Sequence, residues 1–197
     1  MKVLVTGALG FVGRNLKEHL DAYGHETIGL DKAASEEEVS KNIFRADILK
    51  SDLANFLCDT DVVIHLAGRV HIMRETSSDP LSEYREINVD GTIRLANAAI
   101  KAGVKRFIYL SSAKVNGETS LPNKPFKEED QPNPSDPYSV SKFEAEVYLR
   151  SLFKGSDMDV IIIRPPLVYG PGVKANFAEL IKWIERGFPI PFGCVKS

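Results

Sequence analysis

A doubly wound α/β fold, a parallel sheet with helices on both faces, is predicted by three features of this chain. Short β-branched runs alternate with stretches of helical periodicity. A glycine-rich turn, Thr6-Gly7-Ala8-Leu9-Gly10-Phe11-Val12-Gly13, follows the first run and opens the first helix. A later run, Arg106 to Leu110, ends in Ser111-Ser112, the strand end where open sheets of this kind gather ligands.

Taken in order, Lys2 to Thr6 reads as a buried strand and about Phe11 to Tyr23 as a helix. Glu26 to Leu30 is a second strand, ending at Asp31. An acidic stretch, Ser35 to Ser40, precedes a short apolar element around Ile43 to Ala46, and Asp61 to Leu66 is another buried run. A long helix is expected from about Leu81 to Ala102, with Gly103 suited to close it. After the Arg106 strand, a helix from about Tyr138 to Phe153 leads to the strand Val160 to Ile163. A last helix, Phe177 to Arg186, has Phe177, Leu180, Ile181 and Ile184 on its apolar face and is stopped by Gly187 and Pro189. Asn116 to Pro137 breaks the rhythm. Its prolines 122, 125, 132, 134 and 137 and the acidic patch Glu128-Glu129-Asp130 mark a functional or mobile loop.

Composition narrows the class. The 197 residues suffice for one full-sized core, or one domain with part of another. A formal charge of -2 carries no basic excess for nucleic acid or an acidic membrane surface. No apolar run reaches spanning length, and the N-terminus is a strand leading into the glycine turn rather than a signal peptide. Cys58 and Cys194 have no metal-like spacing, so no metal site is expected; they read as free thiols of a cytoplasmic protein.

Two halves of one site follow from the residues. Gly7, Gly10 and Gly13 let backbone N–H groups approach a pyrophosphate, and the helix behind them offers its positive end. Asp31 closes the second strand, where a carboxylate accepts ribose hydroxyls and repels a 2′-phosphate. NAD is therefore favoured, while Arg14 and Lys32 beside it keep NADP open. Tyr138 and Lys142 share a helix face one turn apart, so an ammonium there would draw the phenol's pKa toward neutrality and make it a general base. Ser112 would hold the reacting oxygen in the crevice.

These residues carry a resemblance. Thr6-Gly7-x-x-Gly10-Phe11-x-Gly13, Asp31, Asp47-Ile48, His65-Leu66-Ala67-Gly68, Asn88-Val89-x-Gly91-Thr92, Ser111-Ser112-Ala113, Tyr138-x-x-x-Lys142 and Arg164-Pro165-Pro166-Leu167-Val168-Tyr169-Gly170-Pro171-Gly172 run in the order found in one family. The chain resembles the extended short-chain dehydrogenase/reductases, in particular their NAD-dependent nucleotide-sugar epimerase/dehydratase group. The resemblance implies a Rossmann-type NAD(P)-binding domain over residues 1–166 and an incomplete substrate-binding lobe over 167–197. It also implies catalytic Ser112, Tyr138 and Lys142, with Ser112 and Tyr138 touching the sugar as well. The expected cofactor cradle is Gly7, Gly10, Phe11, Val12, Gly13, Asp31, Lys32, Asp47, Ile48, Leu66, Ala67, Gly68, Asn88, Tyr138, Lys142 and Pro165. Asp47 and Ile48 would lie near the adenine, and Asn88 and Pro165 near the nicotinamide.

Within the family, 4,6-dehydratases carry acids after the position of Ser112. Ala113 and Lys114 stand here, so dehydration is disfavoured and the segment is similar to that of 4-epimerases. The resemblance thus implies Tyr-based proton abstraction with hydride transfer at sugar C4, on a UDP-linked nucleotide sugar. A 4-keto-sugar reductase would use the same residues, and a silent dinucleotide-binding fragment is the reading from another class. Members commonly form homodimers through the helices at about 81–102 and 138–153. There are departures. Asn116 replaces a Tyr common in Val-Tyr-Gly, and Leu167 stands where relatives carry a substrate-binding Asn. Asn176 would supply that contact or cap the last helix. His71 and Arg74 would face the substrate or solvent. Relatives continue well past Ser197, so the resemblance implies a C-terminally truncated member.

Overall fold

The computed structural model describes residues 1–70, 78–121, 123–173, 175–187 and 189. His71 and Arg74 lie outside them, as do the side chains of Ala175 and Asn176. The chain divides into two compact units, residues 1–166 and 167–197.

The first unit is built on six parallel strands: β1 (Lys2–Thr6), β2 (Glu26–Asp31), β3 (Ile43–Arg45), β4 (Val62–His65), β5 (Arg106–Leu110) and β6 (Asp159–Ile163). Their order is β3-β2-β1-β4-β5-β6. The chain winds outward from β1 to β3, then returns to the other side of β1 for β4 to β6. The switch point therefore falls between β1 and β4, the crevice position for a ligand in a doubly wound sheet. The expected fold class is the observed one.

Alternation along β1 divides the core. Leu4 faces one side with Leu30, Val63, Phe107 and Tyr109, packed against Leu95, Ala96 and Ala99 of α4 (Gly91–Lys101) and Ala145 and Leu149 of α5 (Pro137–Leu152). Val3 and Val5 face the other side with Ala8, Ala34, Ile43 and Val62, toward Leu20 of α1 (Phe11–Ala22). A short helix that periodicity did not suggest, α2 (Ala54–Leu57), buries Leu57.

The expected single helix over 81–102 is interrupted. It runs as α3 (Pro80–Arg85), a π-helical turn (Glu86–Asp90) and α4, with Gly103 at φ +75° following its end. The widened turn sets Asn88 inward, 1 % exposed. Gly91 has a steric reason to be glycine, because a Cβ there would meet Ile48 Cδ1 at 2.7 Å.

In the second unit, α6 (Ala175–Glu185) begins before Asn176. Asn176 is thus in the first turn and not the N-cap. Its expected substrate contact falls outside the described side chains.

Candidate active site

The glycine turn is shaped by close approach. Gly7 has φ +67°, and a Cβ on it would meet the Ala67 nitrogen at 2.8 Å; a Cβ on Gly13 would fall 2.1 Å from the Gly7 carbonyl oxygen. Any other side chain at either position would push β1 from β4 or α1 from the turn. Gly10 caps α1 with no side-chain hydrogen bond, so no capping side chain occupies the first-turn N–H groups. A pyrophosphate fits this cradle: open donors, no side chains in the way, and a long helix behind them.

Asp31 closes β2 against that turn. Its carboxylate accepts from Leu9 N (3.0 Å) and Ala33 N (3.0 Å). Each oxygen keeps a further lone pair for a ribose hydroxyl. Arg14 donates its Nε to the Leu9 carbonyl (2.9 Å), while Lys32 is exposed. Asp47 accepts from Leu49 N (2.9 Å), and Ile48 is buried against Gly91. Arg94 was not singled out from sequence, yet it binds this loop through Nη1 to the Ile48 carbonyl and Nη2 to the Ser51 carbonyl, both 2.7 Å.

Asn88 spends its amide on protein. Its Oδ1 accepts from Arg69 N (2.8 Å), and its Nδ2 donates to the Arg69 carbonyl (3.0 Å) and to Ser141 Oγ (2.9 Å). It therefore fixes the loop after β4, with Leu66, Ala67 and Gly68, to the helix that carries Tyr138.

That helix begins on a strong cap. Asp136 accepts from Ser139 N (2.9 Å) while Ser139 Oγ accepts from Asp136 N (3.1 Å), and Pro137 holds the first turn. Ser112 follows β5. Its Oγ accepts from Lys114 N (3.2 Å) and lies within hydrogen-bonding reach of the Tyr138 phenol. Two backbone bonds set this segment, Ser111 N to the Ile163 carbonyl (2.7 Å) and Ala113 N to the Pro165 carbonyl (2.9 Å). Ser112, Tyr138, Lys142 and Pro165 thus meet at the strand ends beyond β5 and β6.

The electrostatics differ from the expectation in one respect. Lys142 was expected to draw the Tyr138 phenol toward neutrality. Instead Lys142 Nζ donates to the Leu110 carbonyl (2.8 Å) and sits 4.5 Å above the Tyr109 ring. Burial raises the Tyr138 pKa above its ordinary value; the Ser112 hydrogen bond and the charge of Lys114 act against that rise. The cation favouring phenolate is therefore Lys114, whose Nζ bridges Asp136 Oδ2 (3.0 Å) and Glu118 Oε1 (3.2 Å). The loop fixes its place, so sequence spacing could not have found it.

Burial lowers Lys142 from 10.5 to about 7, opposed by the charge of Glu146. A folded-state pKa below the unfolded one makes the protein gain stability as pH rises from about 7 toward 10.5, by about 1.4 kcal/mol per unit. Lys142→Met, which keeps the length and removes the buried charge, is expected to be more stable at pH 7 by on the order of 1–4 kcal/mol. It should also lose that alkaline gain. Urea denaturation at pH 7 and 9 measures both; lower stability at pH 7 would contradict the account.

Below Lys142, Glu146 is 1 % exposed. It accepts from Ser111 Oγ (2.5 Å) and from Arg164 through Nη2 (2.5 Å) and Nε (2.9 Å). Arg164 Nη1 donates to Asn116 Oδ1 (3.2 Å), which explains an Asn at that place.

A family model described as the NAD dependent epimerase/dehydratase family matches residues 3–191. The chain belongs to that family. A UDP-glucose 4-epimerase of Vibrio cholerae is 48% identical over 198 residues, covering 98% of this chain and 60% of that protein. One from Mycolicibacterium smegmatis is 36% identical, covering 92% of this chain and 63% of that protein. Among solved structures, a UDP-glucuronic acid 4-epimerase of Bacillus cereus in complex with UDP-glucuronic acid and NAD superimposes with a TM-score of 0.82. It is 30% identical and covers 96% of this chain and 64% of that one. The chain thus spans about three-fifths of the length of these family members.

Proposed function

We propose that this chain carries the cofactor and proton-transfer half of an NAD-dependent nucleotide-sugar 4-epimerase. Residues 1–166 would bind the dinucleotide, and 167–197 would belong to a substrate-binding lobe. One observation carries the reading: Ser112, Tyr138 and Lys142 converge on the strand ends beside the Gly7–Gly13 cradle. NAD, when bound, supplies the hydride acceptor and then the hydride donor for sugar C4. Ser112 orients the C4 hydroxyl, and Tyr138 takes its proton and later returns it. Lys142, held on the Leu110 carbonyl, lies where it can bind a ribose hydroxyl. Gly68 would flank it, since a Cβ there falls 3.7 Å from Lys142 Nζ. Ala113 after Ser112 offers no acid for eliminating water, which favours epimerisation over dehydration.

The substrate is taken to be UDP-linked, in keeping with the relatives. Val147 and Tyr148, 51% and 53% exposed on α5, support dimerisation through the α3–α4 and α5 helices. Among the described residues no helix is long and apolar enough to cross a membrane; a cytoplasmic location is part of the proposal.

The test is to titrate the chain with NAD and NADP, then supply UDP-glucose or UDP-N-acetylglucosamine and assay the C4 epimer. Asp31 leads us to expect NAD to bind at least about tenfold more tightly. Epimer formation without added reductant is the supporting result. NADPH consumption with a 4-keto sugar would identify a reductase, and NAD binding with neither activity a silent dinucleotide-binding fragment.

A further inference from the structure

A buried hydrogen-bond chain crosses beneath the site, and its proton positions can be deduced. Ala67 N donates to Thr6 Oγ1 (3.2 Å); Thr6 Oγ1 lies 2.6 Å from His65 Nδ1; His65 Nε2 lies 2.8 Å from Thr92 Oγ1; and Thr92 donates its hydroxyl to the Asn88 carbonyl (2.7 Å). Thr6, His65 and Thr92 are each 0% exposed, so their polar atoms are satisfied within the protein rather than by bulk solvent. A threonine hydroxyl has one proton. Thr92 gives its proton to Asn88 and so presents only a lone pair to His65, which requires Nε2–H. Nδ1 is then an acceptor, and Thr6 must donate to it while receiving Ala67 N–H. Every bond points the same way, from Ala67 to Asn88.

The Tyr109 hydroxyl approaches Thr92 without a hydrogen bond of good geometry. Any proton from it would add to this direction rather than reverse it. The imidazole is packed between Phe107 (5.9 Å) and Tyr109 (5.7 Å between centroids), beneath the ring that carries Lys142. Burial and the Lys142 charge lower its pKa to about 3, so it stays neutral at any working pH.

The ends of this chain lie in the cofactor cradle. Ala67 is the residue that a Cβ on Gly7 would strike, and Asn88 ties the following loop to Ser141 beside Tyr138. We propose that His65 is a positioning residue: fixed as the neutral Nε2–H tautomer, it clamps the glycine turn, the Ala67–Gly68 loop and the Asn88 turn into one geometry. A dinucleotide and the Tyr138 helix then share a common frame. The role in binding rests on the function proposed above; the tautomer does not.

The experiment is a long-range proton–nitrogen spectrum of the 15N-labelled chain, with NAD titrations in parallel. The wild type and Thr92→Ser should show His65 protonated at Nε2 and unprotonated at Nδ1, unchanged from pH 8 to pH 5. Thr92→Val, of nearly equal volume, should reverse the tautomer to Nδ1–H. It should also weaken NAD about tenfold, because Thr6 then loses its acceptor and competes with Ala67. A wild-type Nδ1–H tautomer would overturn the proposal, even if Thr92→Val does not fold. So would a Thr92→Val protein with tautomer and NAD affinity unchanged. A wild-type chain that shows the Nε2–H tautomer and its reversal but binds no NAD would support the His65 assignment and refute the function it is taken to serve.

Discussion

Tyr138→Phe is expected to lower turnover by about 10²–10⁴-fold while leaving NAD affinity nearly unchanged. The substitution keeps the ring, which stands edge-on to Tyr84 with centroids 6.1 Å apart, and deletes only the phenol oxygen. What disappears is the group proposed to accept the proton at C4. The loss should therefore fall on kcat, with KM for the sugar little altered; steady-state rates with calorimetric NAD titrations separate the two. Because burial holds the phenol above its ordinary pKa, the rate should climb with pH through neutrality rather than fall. Lys114→Gln removes the cation that opposes this rise and should move the climb to higher pH. A Tyr138→Phe protein with wild-type turnover would remove the phenol from the chemistry.

Glu146→Ala is expected to cost about 3–5 kcal/mol of stability, the loss seen when one partner of a buried ion pair is deleted. Glu146 is 1 % exposed, and its removal would strand the Arg164 guanidinium, whose side chain is 16% exposed, together with the Ser111 hydroxyl. Glu146→Gln can still accept from both and should lose less. Replacing the pair together, Glu146→Leu with Arg164→Met, should recover most of the loss, since the cost comes from an uncompensated charge rather than a missing attraction. Urea melts with unchanged m-values provide the measurement. If the double variant were as unstable as Glu146→Ala, the network would owe its value to specific geometry instead.

Much of the fold was legible because its signals are local. Gly7 and Gly13 could be read from spacing: the approach that demands glycine at Gly13 is to Gly7 in the same strand–turn–helix unit, and Gly7, which abuts Ala67 of another element, belongs to the same local motif. Strand and helix alternation gave the sheet for the same reason, and one helical turn was enough to pair Tyr138 with Lys142 on a face. What could not be read depends on contacts made across the fold. The direction taken by the Lys142 ammonium is decided by the Leu110 carbonyl and the Tyr109 ring, on another element. The charge of Lys114 acts on the phenol from a place set by its bridge to Asp136, which a long loop returns to its side. Asn116 looked like a departure from a pattern, yet it accepts from Arg164 at the end of a distant strand. The π-helical turn left no mark in the periodicity, because the buried Tyr84, Asn88, Thr92, Leu95 and Ala99 recur at three- and four-residue steps that fit a continuous helix. The Ala54–Leu57 helix is too short for periodicity to register.

The π-helical turn at Glu86–Asp90 also separates two kinds of demand. A helix of uniform pitch must present one stripe to one neighbour along its whole length. Here the segment before the turn directs Tyr84 at Tyr138, while the segment after it directs Leu95, Ala96 and Ala99 into the sheet. One rod thus meets two partners in turn, a neighbouring helix first and then the sheet.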